Sequence, residues 1–344
     1  MQYKFIGLLI GAATVATSLC RADDREELVS YLELHESNWA SIKRMDVLVR
    51  TDTSREPAAL PGFTETTHER IILDWDANRF TYVRVASRFS LGSKEKKESV
   101  ETGFVIKDGK YRSFLASKRN QPSKQLGSFE QVFDEHRMPD LRISMFMKVS
   151  HGSSRTWTEH KANVFHVHPQ QATRIKSLGN VIGQLRYEML SANHAGLRWN
   201  FDLEQLMPVR TEWFIESPKG DQSQIVGTEI LKWSNIGGIF VPITIQGDFV
   251  DRQNLISPEE MQSRLAKLPP GEQTPEAMAK VAAGFFVDAT ECRDMRLHWA
   301  AVNKKLRDEY FDFDLIDKPD KFVLLANPVT LGASELLDQS NSKR

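Results

Sequence analysis

The chain has 344 residues, with 45 Lys and Arg against 46 Asp and Glu, 40% hydrophobic residues, 9% aromatic residues and two cysteines. A formal charge of −1 excludes the broad basic surface of a non-specific nucleic-acid binder, and 26% charged residues exclude a polytopic membrane protein. Two cysteines cannot build a disulfide-dense scaffold or a Cys-rich zinc site.

The N-terminus places Lys4 ahead of an apolar run from Phe5 to Ala16 and then small residues. That is the layout of a secretory signal peptide, and the run is shorter than the ~20 residues of a membrane span. Cleavage after Ala22, with Cys20 three residues upstream of the cut, makes residues 1–22 the signal and directs the chain to the periplasm. The rival reading is a lipid anchor on Cys20. The preceding Thr17-Ser18-Leu19 reverses the usual lipoprotein order, which has Leu three before the cysteine and a small residue just before it. Cleavage removes Lys4 and Arg21 and leaves 43 basic against 46 acidic side chains, a formal charge of −3. Cys292 is then the single thiol. It lies in the alternating stretch Asp288–Leu297 and reads as a buried packing residue of a strand; the alternative is an unpaired reactive thiol.

From Asp24 to Ile42 the apolar residues recur at three- and four-residue spacings, which predicts an amphipathic helix entered through Asp23 and Asp24. The period then changes to two. Met45–Thr51, His68–Trp75, Arg79–Ala86, Glu101–Lys107 and Lys110–Ala116 read as an antiparallel meander, with Asp108-Gly109 as a two-residue hairpin turn. A second helical region is expected over Ser128–Val149, carrying Phe129, Phe133, Met145 and Phe146. Strands resume at Ala162–His168, Gln184–Leu190, Leu197–Phe201, Pro208–Ile215, Gln224–Trp233 and Ile239–Ile245. Ser257-Pro258 opens a capped helix, a short helix is expected from Thr274, and a strand returns over Phe285–Leu297. Without a Pro/Gly/Ser-rich linker between the two strand sets, one continuous sheet is expected.

Leu197-Arg-Trp-Asn-Phe-Asp202, Met207-Pro-Val-Arg-Thr-Glu-Trp-Phe214 and Leu231-Lys-Trp-Ser-Asn-Ile-Gly-Gly-Ile-Phe-Val-Pro-Ile-Thr244 follow one another in that order. Val302-Asn303 and Leu306–Phe313 come late in the chain. This succession resembles the periplasmic lipoprotein-carrier superfamily, the LolA/LolB-like and LppX-like proteins, over most of residues 24–315. The resemblance implies an α+β fold: a strongly curved antiparallel sheet, an incomplete β-barrel, with helices packed in its concave face. Asn303 and the paired aromatics would precede a last short strand. The domain would span 23–337, with helical insertions near 128–150 and 253–285 and a disordered tail over 338–344.

The same resemblance implies an apolar cavity for a lipid, an acyl chain or a lipidated protein partner. Phe129, Phe133, Met145 and Phe146 would make an adaptable lid over such a cavity, or are simply core; an apolar stripe does not distinguish the two.

Other chemistry leaves few traces. His166 and His168 share one face of a strand and could offer two imidazoles to a metal, or be two strand histidines. Asp74 and Asp76 also share a face, as an acid/base pair or as a strand end. Asp312, Asp314, Asp317 and Asp320 lack the glycine and closing Glu of a calcium loop, and no glycine-rich phosphate loop follows a strand. The expectation is an exported, non-catalytic envelope protein with no cofactor and no transmembrane helix in the mature chain, binding a hydrophobic ligand. A structural or interaction module with a filled core is the alternative, and an envelope-polymer hydrolase the third.

Overall fold

The computed structural model describes residues 24–35, 37–56, 62–90, 98–115, 124–125, 172–191, 194–217, 223–254, 258–267, 269, 281 and 286–326. Strands β1 (Arg44–Glu56), β2 (Phe63–Asp74), β3 (Arg79–Ser90), β4 (Glu98–Lys107), β5 (Lys110–Leu115) and β6 (Lys124–Gln125) form one antiparallel meander. A second comprises β7 (Ala172–Val181), β8 (Gln184–Ser191), β9 (Ala195–Asp202), β10 (Pro208–Glu216), β11 (Ser223–Ile236) and β12 (Ile239–Asn254). β13 (Phe286–Val302) pairs with β1 on one side and β12 on the other, fusing the meanders into one 13-stranded sheet with β6 and β7 at its edges. The described sheet is therefore open, not closed into a barrel. β7 is missing from the strands expected above, because Arg174, Lys176, Ser177 and Gly179 hide its alternation.

The two meanders bury themselves differently. Ile71-Ile72-Leu73, Tyr82-Val83 and Phe104-Val105-Ile106 are continuous buried apolar runs, as strands covered on both faces require. Arg186-Tyr187-Glu188-Met189 and Arg198-Trp199-Asn200-Phe201 alternate, so β8 and β9 keep one polar face.

Residues 24–35 and 37–40 are helical, as their spacing demands. Leu28, Leu32, Trp39 and the following Ile42 join Val47, Ile71 and Trp299 in the main core cluster. The helix runs across the strands rather than along them. Asp24 Oδ2 accepts the Ser177 N–H of β7 (3.0 Å), and the Tyr31 ring lies 5.9 Å from Tyr187 of β8 and 5.4 Å from Phe201 of β9. His35 meets Trp233 of β11, the Asn38 amide bonds both backbone groups of Phe240 in β12, and Trp39 meets Trp299 of β13. About 22 Å of helix thus spans six inter-strand gaps of about 4.8 Å, roughly 29 Å of sheet, so this half curls toward the helix.

The opposite face of β2–β5 is covered by the C-terminal segment. Its 3-10 turn Asp308–Phe311 and short helices Asp314–Asp317 and Pro319–Leu324 place Phe311 against Ile72, and Ile316 and Phe322 against Val83, Val105 and Phe114. Helices therefore lie on both faces of the sheet, which corrects the expectation that they share one concave face. The apolar runs of β2–β5 leave a second strip to cover. No strand follows Phe313 among the described residues: Asp312 Oδ1 accepts the Asp314 N–H and Pro319 starts the next helix, so this segment turns instead of extending. Beneath it Arg70 and Asp46, 3% and 4% exposed, form a two-pronged ion pair (2.8 and 2.7 Å), and the Arg70 guanidinium stacks on Tyr310. Asn303, at φ 52°, ties the helix exit to the end of β13. Its Oδ1 accepts the N–H groups of Lys43 and Arg44, and its Nδ2 donates to Ser41 O.

Candidate functional site

Under the N-terminal helix the sheet face is filled by aromatic side chains. Trp39 Nε1 donates to His35 Nε2 (2.9 Å), Trp299 Nε1 to Pro242 O (2.7 Å) and Trp233 Nε1 to Pro208 O (2.7 Å). These three indole N–H groups keep a partner while their rings pack, whereas the Trp199 Nε1 of the same cluster, 2% exposed, has none among the described residues. Burial holds His35 neutral and drives its pKa down to about 3. This half of the face is a core, not a cavity.

The same face continues into charged rows. Register aligns Glu229, Gly247, Arg293, Thr53, Glu65 and Arg88 across β11, β12, β13, β1, β2 and β3. The next row outward holds Phe249, Glu291, Arg55 and Phe63. Glu291 accepts from Arg55 (2.8 Å) and Arg293 (3.2 Å); Glu65 accepts from Arg84 (3.3 Å) and Arg88 (2.9 Å). Arg55 and Arg88 both lie over the Phe63 ring. Gly227 and Gly247 make room for Phe249, since a Cβ at either position would run into its ring.

Two carboxyls in this region are unusual. Burial raises the pKa of Glu69, against the opposing pull of Arg84 and of the Tyr82 hydroxyl that donates to it. Glu229 is 2% exposed and its Oε2 has no hydrogen-bond partner among the described residues. Burial pushes it up to about 8, with Arg293 the opposing influence. Glu229 is therefore protonated at neutral pH.

The opposite face carries a polar pocket of about 500 Å3 over β2, β1, β13, β12 and β11. Asp52 and Asp294 are direct cross-strand neighbours at its base, each neutralised by a guanidinium two residues along its own strand, Arg50 (3.0 Å) and Arg296 (2.9 Å). Burial opposes ionisation of Asp52, but the Thr66 hydroxyl and Arg50 outweigh it and hold the carboxyl below its usual range. Cys292 sits between Ser54 and Asp248 in the same pocket. The strand expected around Cys292 forms, but its thiol is half-buried on this polar face rather than packed in the core. Burial, then the neighbouring Asp248, push its pKa up, so the thiolate is disfavoured.

Phe129, Phe133, Met145 and Phe146, and the histidines His166 and His168, lie outside the described residues. Among the described residues no group of three His, Cys, Asp or Glu side chains could hold a metal. Asp74 and Asp76 are brought to Arg44, and Asp74 also to Arg79, so this pair ends a strand in ion pairs. Asp317 is bound by both terminal nitrogens of Arg112. The charged rows were not singled out above, although a signal exists. Glu229, Arg293, Arg55 and Glu69 stand in period-two phase with Leu231, Leu297, Val49 and Ile71, on the inward face where alternation predicts apolar residues.

No protein-family model and no curated protein matches this chain. Among solved structures it is similar to a DUF1329 family protein from Desulfovibrio piger, at 10% identity and a TM-score of 0.36, covering 83% of this chain and 98% of that one. It is also similar to a domain assigned to outer membrane lipoprotein sorting, from Vibrio parahaemolyticus, at 10% identity and a TM-score of 0.32, covering 83% of this chain and 97% of that one. Both TM-scores lie below 0.5, too low to transfer fold or function.

Proposed function

We propose that this chain is an exported envelope protein that holds a lipid, an acyl chain or the acyl group of a lipidated protein against the apolar face of its sheet, without catalysing a reaction. One observation carries this reading. The apolar face extends beyond the strands named in the helix contacts above, over β1–β4 through Val47, Val49, Ile71, Leu73, Phe80 and Phe104, and all six side chains are buried in one cluster with the helix residues Leu28, Leu32 and Trp39. That face ends at Glu69, Tyr82 and Arg84, so an amphipathic molecule that displaces the helix from it would find an apolar floor and a polar end. No helix among the described residues is long and apolar enough to cross a membrane, in keeping with a carrier that works beside a bilayer.

The test is mass spectrometry of organic extracts of the protein purified after export. A stoichiometric acyl-bearing species is expected. An empty extract, together with no displacement of a fluorescent fatty-acid probe, sinks the proposal. The aromatic core under the helix favours a second reading, an interaction module with a filled interior, which predicts that same empty extract.

A further inference from the structure

The pocket on the face away from the N-terminal helix is built from two cross-strand rows. Register aligns Gln246, Asp294, Asp52 and Thr66 across β12, β13, β1 and β2, and beside them Asp248, Cys292, Ser54 and Thr64 across the same strands. Ile230 and Thr228 extend the two rows onto β11. Residues two apart on a strand share a face, so all these side chains point to one side of the sheet. The inter-strand gaps of about 4.8 Å make each row roughly 19 Å long, and the rows lie about 6.7 Å apart. The enclosed volume of about 500 Å3 is of the size that holds a small ligand.

The lining decides the class of that ligand. Ile230 is the one hydrocarbon side chain in the two rows, so the pocket has no floor for an acyl chain and is distinct from the apolar face under the helix. An anion would meet Asp52, Asp248 and Asp294. Arg50 and Arg296 neutralise the first and third from outside the lining, where they are 53% and 65% exposed. An ammonium would suit the remaining negative charge, but it brings three donors to a single point. The hydroxyls of Ser54, Thr64 and Thr228, the Gln246 amide and the carboxylates are spread over the whole length of the rows. Asp294 Oδ2 accepts from Arg296, while its Oδ1 is shielded from solvent and has no partner among the described residues. A shielded acceptor without a donor is unfavourable, and a donor brought by a ligand relieves it. What matches is a neutral molecule with hydroxyls along its length, each of them both donor and acceptor.

We propose that this pocket binds a neutral oligosaccharide, laid across β11, β12, β13, β1 and β2 with its hydroxyls on Thr228, Gln246, Asp248 and Asp294. No lining residue is aromatic, so hydrogen bonds and not ring stacking set the affinity. Binding of a neutral sugar is insensitive to salt, whereas binding of an amine to the same carboxylates is screened by it.

Cys292 lies in the middle of its row and reports on occupancy. In the exported protein, cut after Ala22, it is the single thiol. The test follows its reaction with the neutral reagent dipyridyl disulfide, at mildly alkaline pH because the thiolate is disfavoured. Maltotetraose, cellotetraose and tetra-N-acetylchitotetraose are titrated in at low and high salt, with spermidine as the cationic alternative. At least one sugar is expected to slow the reaction saturably, and equally at both salt concentrations. Gln246→Ala, at an exposed position, should weaken the protecting sugar about fivefold, as for one neutral hydrogen bond, and Asp294→Asn about tenfold, as for one to a charged acceptor. Both variants should keep the wild-type circular dichroism spectrum. The proposal is overturned if no sugar protects Cys292, if neither variant weakens protection, or if spermidine alone protects and loses its effect in salt. A fluorescent fatty-acid probe should be neither displaced by the sugar nor weakened in these variants, which keeps this result separate from the acyl-ligand reading; displacement would put the sugar on the other face and overturn the assignment.

Discussion

Val47, Ile71, Leu231 and Trp299 at one end of the helix face, and Arg55, Glu65, Glu229 and Arg293 at the other, lie on the same four strands. Strand pairing is common to both ends, and only the side chains in phase change. The apolar end is held by volume: rings and aliphatic chains fill the space under the helix, and the indole N–H groups of Trp39, Trp233 and Trp299 find acceptors. The charged end is held by partners, because guanidiniums and carboxyls on the same or adjacent strands neutralise one another at 2.8–3.3 Å. One end should therefore answer to changes of size, and the other to changes of charge and pH.

The largest effect is expected at the apolar end. Trp39→Ala removes a 4%-exposed indole from between His35 and Trp299 and should cost about 3–5 kcal/mol in urea unfolding. A loss below about 1 kcal/mol would mean that the cluster is loosely packed and collapses around the gap. At the charged end, Arg293→Met keeps most of the volume but strips a guanidinium from Glu291 and from the neighbourhood of Glu229. The expected loss at pH 7 is about 2–3 kcal/mol, since the buried Glu291 loses one of its two guanidinium partners. Adding Glu291→Gln to that variant should recover part of the loss. Strict additivity of the two changes would show that the row does not act as a network.

How far the sequence leads also differs between the two ends. Leu28, Leu32 and Trp39 announce the helix by spacing, and Ile71, Tyr82 and Phe104 announce strands by alternation, because burial is periodic in both element types. Asp108-Gly109 announces its turn because few residues tolerate positive φ. Ile182-Gly183 does not, since Ile is a poor turn residue and β7 before it is polar. The helices Asp314–Asp317 and Pro319–Leu324 were hidden for a related reason. They are too short for a period to register, and only the second apolar strip on β2–β5 explains where they go. The charged rows are the hardest to read. Whether Arg293 faces Glu229 depends on the register of strands more than sixty positions apart in the chain, which no local pattern states.

The smallest expected effect separates the two ends by pH. His35 has a folded pKa near 3, below its usual 6.5, so the folded state favours the neutral ring. Its contribution is complete above pH 6.5 and is lost as pH falls toward 3, because the unfolded chain binds the proton first. Glu229 runs the other way. Its folded pKa is about 8 against a usual 4.5, so its contribution is complete below pH 4.5 and is lost as pH rises toward 8 and beyond. Between pH 4.5 and 6.5 the two slopes oppose each other, and stability from these groups should be nearly level. From pH 6.5 to 8 only Glu229 acts, and unfolding free energy should fall by about 1–2 kcal/mol. Glu229→Gln cannot ionise and should erase that alkaline slope while leaving the acid one. His35→Gln keeps an acceptor for Trp39 Nε1 and should erase the acid slope while leaving the alkaline one. Thermal midpoints across pH 4–9 for the three proteins decide the matter. If either substitution moves both slopes, the two ends are one coupled unit, and the division between a packed end and a charged end fails.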